Sequence, residues 1–279
     1  MGINSYKPEP SSLVNFLQVL RDEHGFGYSS INTARSALSL LIKFEATPAG
    51  QHPLVVEYMK GLEHLCPPKP RYPYIWDAGT VLNFLCRWSP CDHLDFKLLS
   101  YKLLMLILLA TAQRIQSISK LNIDFLQIKG TKAIFSVGSK LKTSKPGEIT
   151  KIEFREYPPN RSLCVLRYLR EYLKRSSYIR NTRFLFISLN KPHDAVTSQT
   201  LAKWAKIVLK AAGIENRFSA HSTRAASTSS AFYQGVPMQH ILKCANWKSA
   251  KTFADWYKKP IISESTFQEK VFDSHLSHN

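Results

Sequence analysis

Between residues 66 and 74 the chain reads CPPKPRYPY, four prolines in nine positions. Proline has no amide hydrogen to give a helix and pushes the residue before it toward extended backbone, so no helix can cross this stretch. It parts the chain into two folding regions. Ahead of it, SSLVNFLQVLRDE, SSINTARSALSLLIKFEA and HPLVVEYMKGLEHL carry apolar residues at helical spacing. Ser pairs open the first two, and Gly25 and Gly27 lie between them. Three helices are predicted over 11–64.

Beyond the prolines the texture is mixed. AGTVLNFLCRW and DFKLLSYKLLMLILLATA read as helices, the second apolar nearly all round and so deeply buried. LNIDFLQI, AIFSV and TKIEFREY are short β-type runs, broken by Gly130 and by SKLKTSKPGE, which predicts a small antiparallel sheet with a basic hairpin. NRSLCVLRYLREYLKR returns to helix, RFLFISL is predicted as a further strand, and helices resume near Thr197. The expected fold class is mainly α with one small antiparallel β-sheet. A helical domain over 1–65, a linker at 66–75 and a mixed α/β domain over 76–260 are expected. A tail at 261–279 follows, whose Phe267, Val271, Phe272 and Leu276 keep partial helical spacing.

The bulk numbers narrow the partners. A net charge of +18 calls for a polyanion, either nucleic acid or an anionic membrane surface. The longest apolar run, LLMLILLA at 103–110, is too short to cross a bilayer, and MGINSYKPEP holds no signal-peptide core, so an intracellular protein is expected. The five cysteines form no CxxC and the nine histidines no HExxH, so no metal is expected. Neither GxxxxGK[ST] nor GxGxxG occurs, so no nucleotide cofactor is expected either. Residues 129–183 hold 14 Lys and Arg against 4 acidic residues, more than half of the excess charge in a fifth of the chain. A solvated face would mix the signs, and this bias favours phosphate contact, with Lys140, Lys145 and Arg161 as candidate DNA contacts.

Several residues could carry chemistry. In HSTR, His221 and Arg224 stand three apart, so on a helix they share a face. A guanidinium fork grips two phosphate oxygens at once, and an imidazole beside it can move a proton. Alone, this spacing is common at capped helix starts. Arg114, in TAQRIQSISK, directly follows the buried helix, where a cation needs a partner or a ligand. Lys140, Lys142 and Lys145 fall on the hairpin tip, where lysines are often merely solubilising. Tyr257, in KTFADWYKKP, ends an amphipathic helix, a place where a tyrosine usually packs.

The order and spacing of these residues say more than any one of them. Arg114, a hairpin Lys, His221-x-x-Arg224, Trp247 and Tyr257 together resemble the tyrosine recombinase (phage integrase) family, and the resemblance spans essentially the whole chain. The wording from His221 to Tyr257 is similar to recombinases of eukaryotic mobile elements of the DIRS type. Two features depart from the commoner pattern. Ser117 stands where many members carry an acid, and the step from Trp247 to Tyr257 is ten residues, where the nine of many bacterial members would put Trp256 in the nucleophile's place. Only the tyrosine has a usable hydroxyl.

The resemblance implies a site-specific DNA recombinase with a DNA-clamping amino-terminal domain. Tyr257 would attack the scissile phosphodiester to give a 3′-phosphotyrosyl link. A free phenol titrates near pH ~10, so His221 would serve as base. Arg114 and Arg224 would neutralise the phosphate, Lys142 (or Lys140) would protonate the leaving 5′-oxygen, and Trp247 would donate its indole N–H or buttress the pocket. Implied partners are double-stranded DNA and further copies of the chain, a dimer per site and a tetramer at synapsis. The nucleus is the expected compartment if the host is eukaryotic. Three rivals stay open at this level: a silent DNA-binding protein of the same fold, a type IB topoisomerase, and a basic RNA- or membrane-binding protein.

Overall fold

The computed structural model describes residues 8–137 and 150–262, and the chain divides into two compact units, Met1–Arg71 and Tyr72–Asn279. The division falls inside the proline-rich stretch. Residues 72–75, expected as linker, belong to the second unit, where Tyr72 and Ile75 are buried in its core.

The first unit is built on α1 (Pro10–Asp22), α2 (Tyr28–Leu41), a two-residue hairpin of β1 (Lys43–Phe44) and β2 (Thr47–Pro48), and α3 (Pro53–Leu65). Leu13 and Leu17 of α1, Ile31 of α2, and Val55, Met59 and Leu62 of α3 form its core. The helix starts differ from the Ser caps read in the sequence. α1 begins at Pro10, whose preset φ suits the first helical turn, and α2 is capped by Gly27. Only α3 has a side-chain cap, with His52 Nδ1 accepting from the Leu54 amide at 3.3 Å. α2 stops at Leu41 because Glu45 takes a left-handed turn (φ 55°) that folds Lys43–Phe44 back on Thr47–Pro48. Gly50 is required just beyond this hairpin: a Cβ there would collide with Ser39 Oγ, which accepts the Gly50 amide at 2.7 Å.

The second unit runs β3 (Ile75–Trp76), α4 (Ala78–Cys86), α5 (Phe96–Thr111), α6 (Ile115–Ile118), β4 (Leu126–Lys129), β5 (Lys132–Val137), β6 (Thr150–Arg155), α7 (Val165–Ser176), α8 (Ser198–Ala211), α9 (Ser222–Tyr233), α10 (Met238–Ala245), α11 (Ala250–Trp256) and β7 (Ile261–Ile262). The apolar helix α5 is its axis, packed against α7, α8 and α9. The sheet is antiparallel in the order β4–β5–β6, with Phe135 opposite Ile152 and Ala133 opposite Phe154, all four on the buried face. That is the period-two pattern expected of one-sided burial.

RFLFISL is not a strand. Among the described residues it makes two isolated bridges, Asn122 with Phe184 and Ile187 with Ala195. Its apolar residues enter the core between α7 and α8, while loop amides and carbonyls complete its hydrogen bonds, so burial rather than sheet pairing explains its composition. The two residues of β7, expected as the start of the tail, instead pair in parallel with β3. The hairpin tip with Lys140, Lys142 and Lys145 lies outside the described residues, as does the rest of the tail.

Candidate active site

The site forms where two helices end and a third begins. α5 stops at Ala112, which adopts the left-handed conformation (φ 49°), and α10 stops at Asn246 in the same conformation (φ 51°). A helix C-terminus leaves carbonyls without partners and carries partial negative charge. One side chain answers both ends. Arg224, in the first turn of α9, donates from Nη1 to the Ala112 carbonyl at 2.8 Å and from Nη2 to the Ala245 carbonyl at 2.6 Å.

Arg224 is only 1% exposed, and its Nε has no hydrogen-bond partner. Burial, and next the like charge of Arg114, bring its guanidinium down to about 10, while Tyr257 pulls the other way. It therefore stays charged at neutral pH. The position of Arg114 follows from the same turn. The left-handed break at Ala112 reverses the chain after α5, so Arg114 falls at the N-cap of α6. There it lines a cavity of about 360 Å³ together with Gln116, His221 and Arg224.

His221 is the N-cap residue of α9 and is exposed, whereas Arg224 one turn on is buried. They belong to one helix start yet present opposite degrees of access: Arg224 is fixed in the floor and His221 is open to a ligand. His221 Nε2 lies 3.2 Å from Tyr257 Oη. Tyr257 follows the last residue of α11, and its ring is sandwiched by the site, 4.5 Å from the Trp247 ring and 5.5 Å from the Arg224 guanidinium carbon. Trp256 is 42% exposed, while Tyr257 packs on the core.

Trp247 is buried with Phe253, Ile241 and Ala245, and its Nε1 also lacks a partner. Two buried N–H donors, Arg224 Nε and Trp247 Nε1, thus stand unsatisfied beside one phenol and one imidazole. Each is a donor that an incoming oxygen ligand would satisfy.

Of the residues singled out in the sequence, the structure gathers Arg114, His221, Arg224, Trp247 and Tyr257. Arg161 is not among them. It sits in a 3₁₀ turn, Arg161–Leu163, on a separate cavity of about 690 Å³ with Arg167, Arg170 and Lys174. The sequence reading passed over the supports. Gln113 Nε2 donates to the Cys244 carbonyl at 2.7 Å, joining the end of α5 to α10. Trp76 Nε1 donates to Ser222 Oγ at 2.8 Å, pinning the start of α9 to β3. A signal was present for the second: STRAASTSSAFY is half serine and threonine yet largely buried, which demands partners inside the fold.

The chain matches no curated protein sequence. The profile described as "Phage integrase family" matches residues 91–261. Among solved structures, it is similar to the XerH site-specific recombinase bound to a palindromic difH substrate in a post-cleavage complex, with 14% identity and a TM-score of 0.63, over 97% of this chain and 73% of that one. The Tn1549 transposon integrase in complex with transposon right end DNA gives 13% identity and 0.61, over 100% and 88%. A lambda integrase dimer bound to a COC′ core site gives 16% and 0.54, over 91% and 65%. At these identities the structural likeness speaks for the fold, and the match across 91–261 speaks for the family. The chain belongs to the phage integrase family, the tyrosine recombinases.

Proposed function

We propose that this protein is a site-specific DNA recombinase in which Tyr257 is the nucleophile. The observation that carries the reading is the approach of Tyr257 Oη to His221 Nε2 at 3.2 Å, beside a cavity walled by two guanidinium side chains. The neutral imidazole accepts the phenolic proton as Oη attacks phosphorus. The bond from Tyr257 Oη to phosphorus forms, the bond from phosphorus to the 5′-oxygen breaks, and the DNA is held as a 3′-phosphotyrosine. Arg114 and the unpartnered Nε of Arg224 meet the charge that grows on the non-bridging oxygens, and the Trp247 indole N–H donates to the same group.

In this reading Lys142 of the hairpin gives the leaving 5′-oxygen its proton, as the family resemblance implies. The reverse attack by a 5′-hydroxyl of a second duplex rejoins the strands and returns the proton. Each exchange replaces one phosphodiester by another, so no nucleotide energy is called for. The titles of the similar structures describe DNA complexes, and one describes a dimer on its core site, which supports duplex DNA as substrate and two copies per site. A tetramer at synapsis, with the basic 129–183 region and the first unit holding the duplex, completes the proposal. So does an origin in a mobile element, on the wording from His221 to Tyr257, with action in the nucleus of a eukaryotic host.

The test uses nicked duplexes made from the flanks of the protein's own locus, which release a short 5′-hydroxyl fragment on cleavage and so trap the intermediate. The wild-type protein is expected to give a denaturant-stable protein–DNA band. Tyr257→Phe removes it while gel-shift affinity is retained. Binding with no band from the wild type would instead mark a silent DNA-binding protein.

A further inference from the structure

We propose that Ser229 is a positioning residue for Tyr257, holding the chain that leaves the nucleophile to the helix that carries the phosphate grip. The inference rests on the strand-transfer reading above. Ser229 lies in the middle of α9 and is 0% exposed. Its Oγ donates to the Tyr257 carbonyl at 2.7 Å and accepts from the Lys259 amide at 3.1 Å. A hydroxyl has one proton to give and lone pairs to receive, and both functions are used here on residues that bracket Lys258.

The clamp acts on the turn between the end of α11 and β7. Tyr257 is past the end of α11, with non-helical backbone (φ −120°, ψ −23°), so its carbonyl has no place in a helix ladder. Trp256 and Lys258, its neighbours, are exposed. The Tyr257 and Lys258 amides both reach back to the Phe253 carbonyl, which fixes the entry to the turn, and the Pro260 carbonyl accepts from the Ile75 amide at 2.9 Å as β7 pairs with β3, which fixes its exit. Between these two, Ser229 supplies the hydrogen bonds that tie residues 257 and 259 to α9.

The same helix presents His221 at its cap and Arg224 in its first turn. At about 1.5 Å of rise per residue, Ser229 lies roughly 7 Å along the axis from Arg224. Nucleophile, base and phosphate grip are therefore referred to one rigid element. A helical segment moves as a unit, so their distances are kept even if α11 shifts. Misplacing a reacting atom by about 1 Å can cost on the order of a hundredfold in rate, so a clamp of this kind acts on the chemical step.

The experiment measures single-turnover adduct formation with the full chain at saturating nicked duplex, using the duplexes that the wild type captures. Ser229→Ala is expected to slow the adduct by about tenfold or more, the rate equivalent of one or two lost hydrogen bonds, with DNA affinity within about twofold of wild type. Ser229→Thr, which keeps the hydroxyl, is expected to recover most of the rate.

A second readout separates positioning from general support of the pocket. In a Tyr257→Phe background, hydrogen peroxide added as a small nucleophile attacks the same phosphorus and expels the 5′-oxygen without help from residue 257. Adding Ser229→Ala should leave that peroxide cleavage unchanged. Should the alanine variant not fold, Ser229→Cys, which nearly keeps the volume and weakens both hydrogen bonds, carries the same comparison. An adduct rate equal to wild type in the variant overturns this inference alone, as does a parallel fall in peroxide cleavage. A wild-type protein that forms no adduct overturns the strand-transfer reading and the inference together.

Discussion

Arg224 serves structure and chemistry with different edges of one side chain. Its Nη atoms close two helix ends, and its Nε is buried without a hydrogen-bond partner. Lysine cannot reproduce a planar fork, so Arg224→Lys should cost about 2–3 kcal/mol in urea unfolding by leaving a buried carbonyl unsatisfied. It should also lower adduct formation by about a hundredfold or more, as removal of a preorganised donor does. Trp247 allows a cleaner separation of roles. Its ring packs on Tyr257 and Phe253 while its Nε1 meets nothing. Trp247→Phe preserves most of the packing and removes only an unsatisfied donor, so stability should change by less than about 1 kcal/mol while adduct formation falls by about tenfold. Equal rates for the two proteins would make the indole a buttress only.

At the scale of elements, α5 holds an ammonium that the chemistry does not use. Lys102 is wholly buried, with Nζ donating to the Leu85 carbonyl, the Trp88 carbonyl and Tyr168 Oη at 2.6–2.7 Å. These bonds tie α5 to the end of α4 and to α7. Burial pushes its ammonium down to about 8 from an ordinary value of 10.5. Below about 8 both folded and unfolded chains hold the proton, and the cost of the buried charge is fully present. Between the two values the unfolded chain keeps a proton that the folded chain has released, so this group adds stability as pH rises. The unfolding free energy of wild type, measured against Lys102→Met, should increase by up to about 1.4 kcal/mol per pH unit across that window. A flat difference would contradict the burial argument.

The elements were legible where local spacing decides them: the three helices before the prolines, the apolar α5 and the β5–β6 pairing all follow from periodicity. Lys102 shows what periodicity misses. It stands in a helix that is apolar nearly all round, and only polar groups of residues distant in sequence, the Leu85 and Trp88 carbonyls and the Tyr168 hydroxyl, explain how it can be buried. Ser229 is similar, since nothing local distinguishes it from the other hydroxyls of α9. RFLFISL failed for a related reason: a short apolar run is the same whether a neighbouring strand or the core itself receives it. The site was legible as an ordered set of residue types, and its geometry was not, because two left-handed helix ends set it.

For the whole molecule the governing quantity is charge. With a net charge of +18, of which residues 1–71 hold only +1, binding of the second unit to duplex DNA should release many counterions. If about six phosphates are neutralised, affinity should fall about a thousandfold between 50 and 200 mM salt, a slope that a fluorescence titration reads directly. A weak salt dependence would remove the basic region from the interface. The central claim concerns one atom, and peptide mapping of the trapped complex addresses it. After nuclease trimming, mass spectrometry should find a nucleotide remnant, joined through its 3′-phosphate, on Tyr257. A remnant on another residue such as Tyr233, or one joined through a 5′-phosphate, would contradict the account.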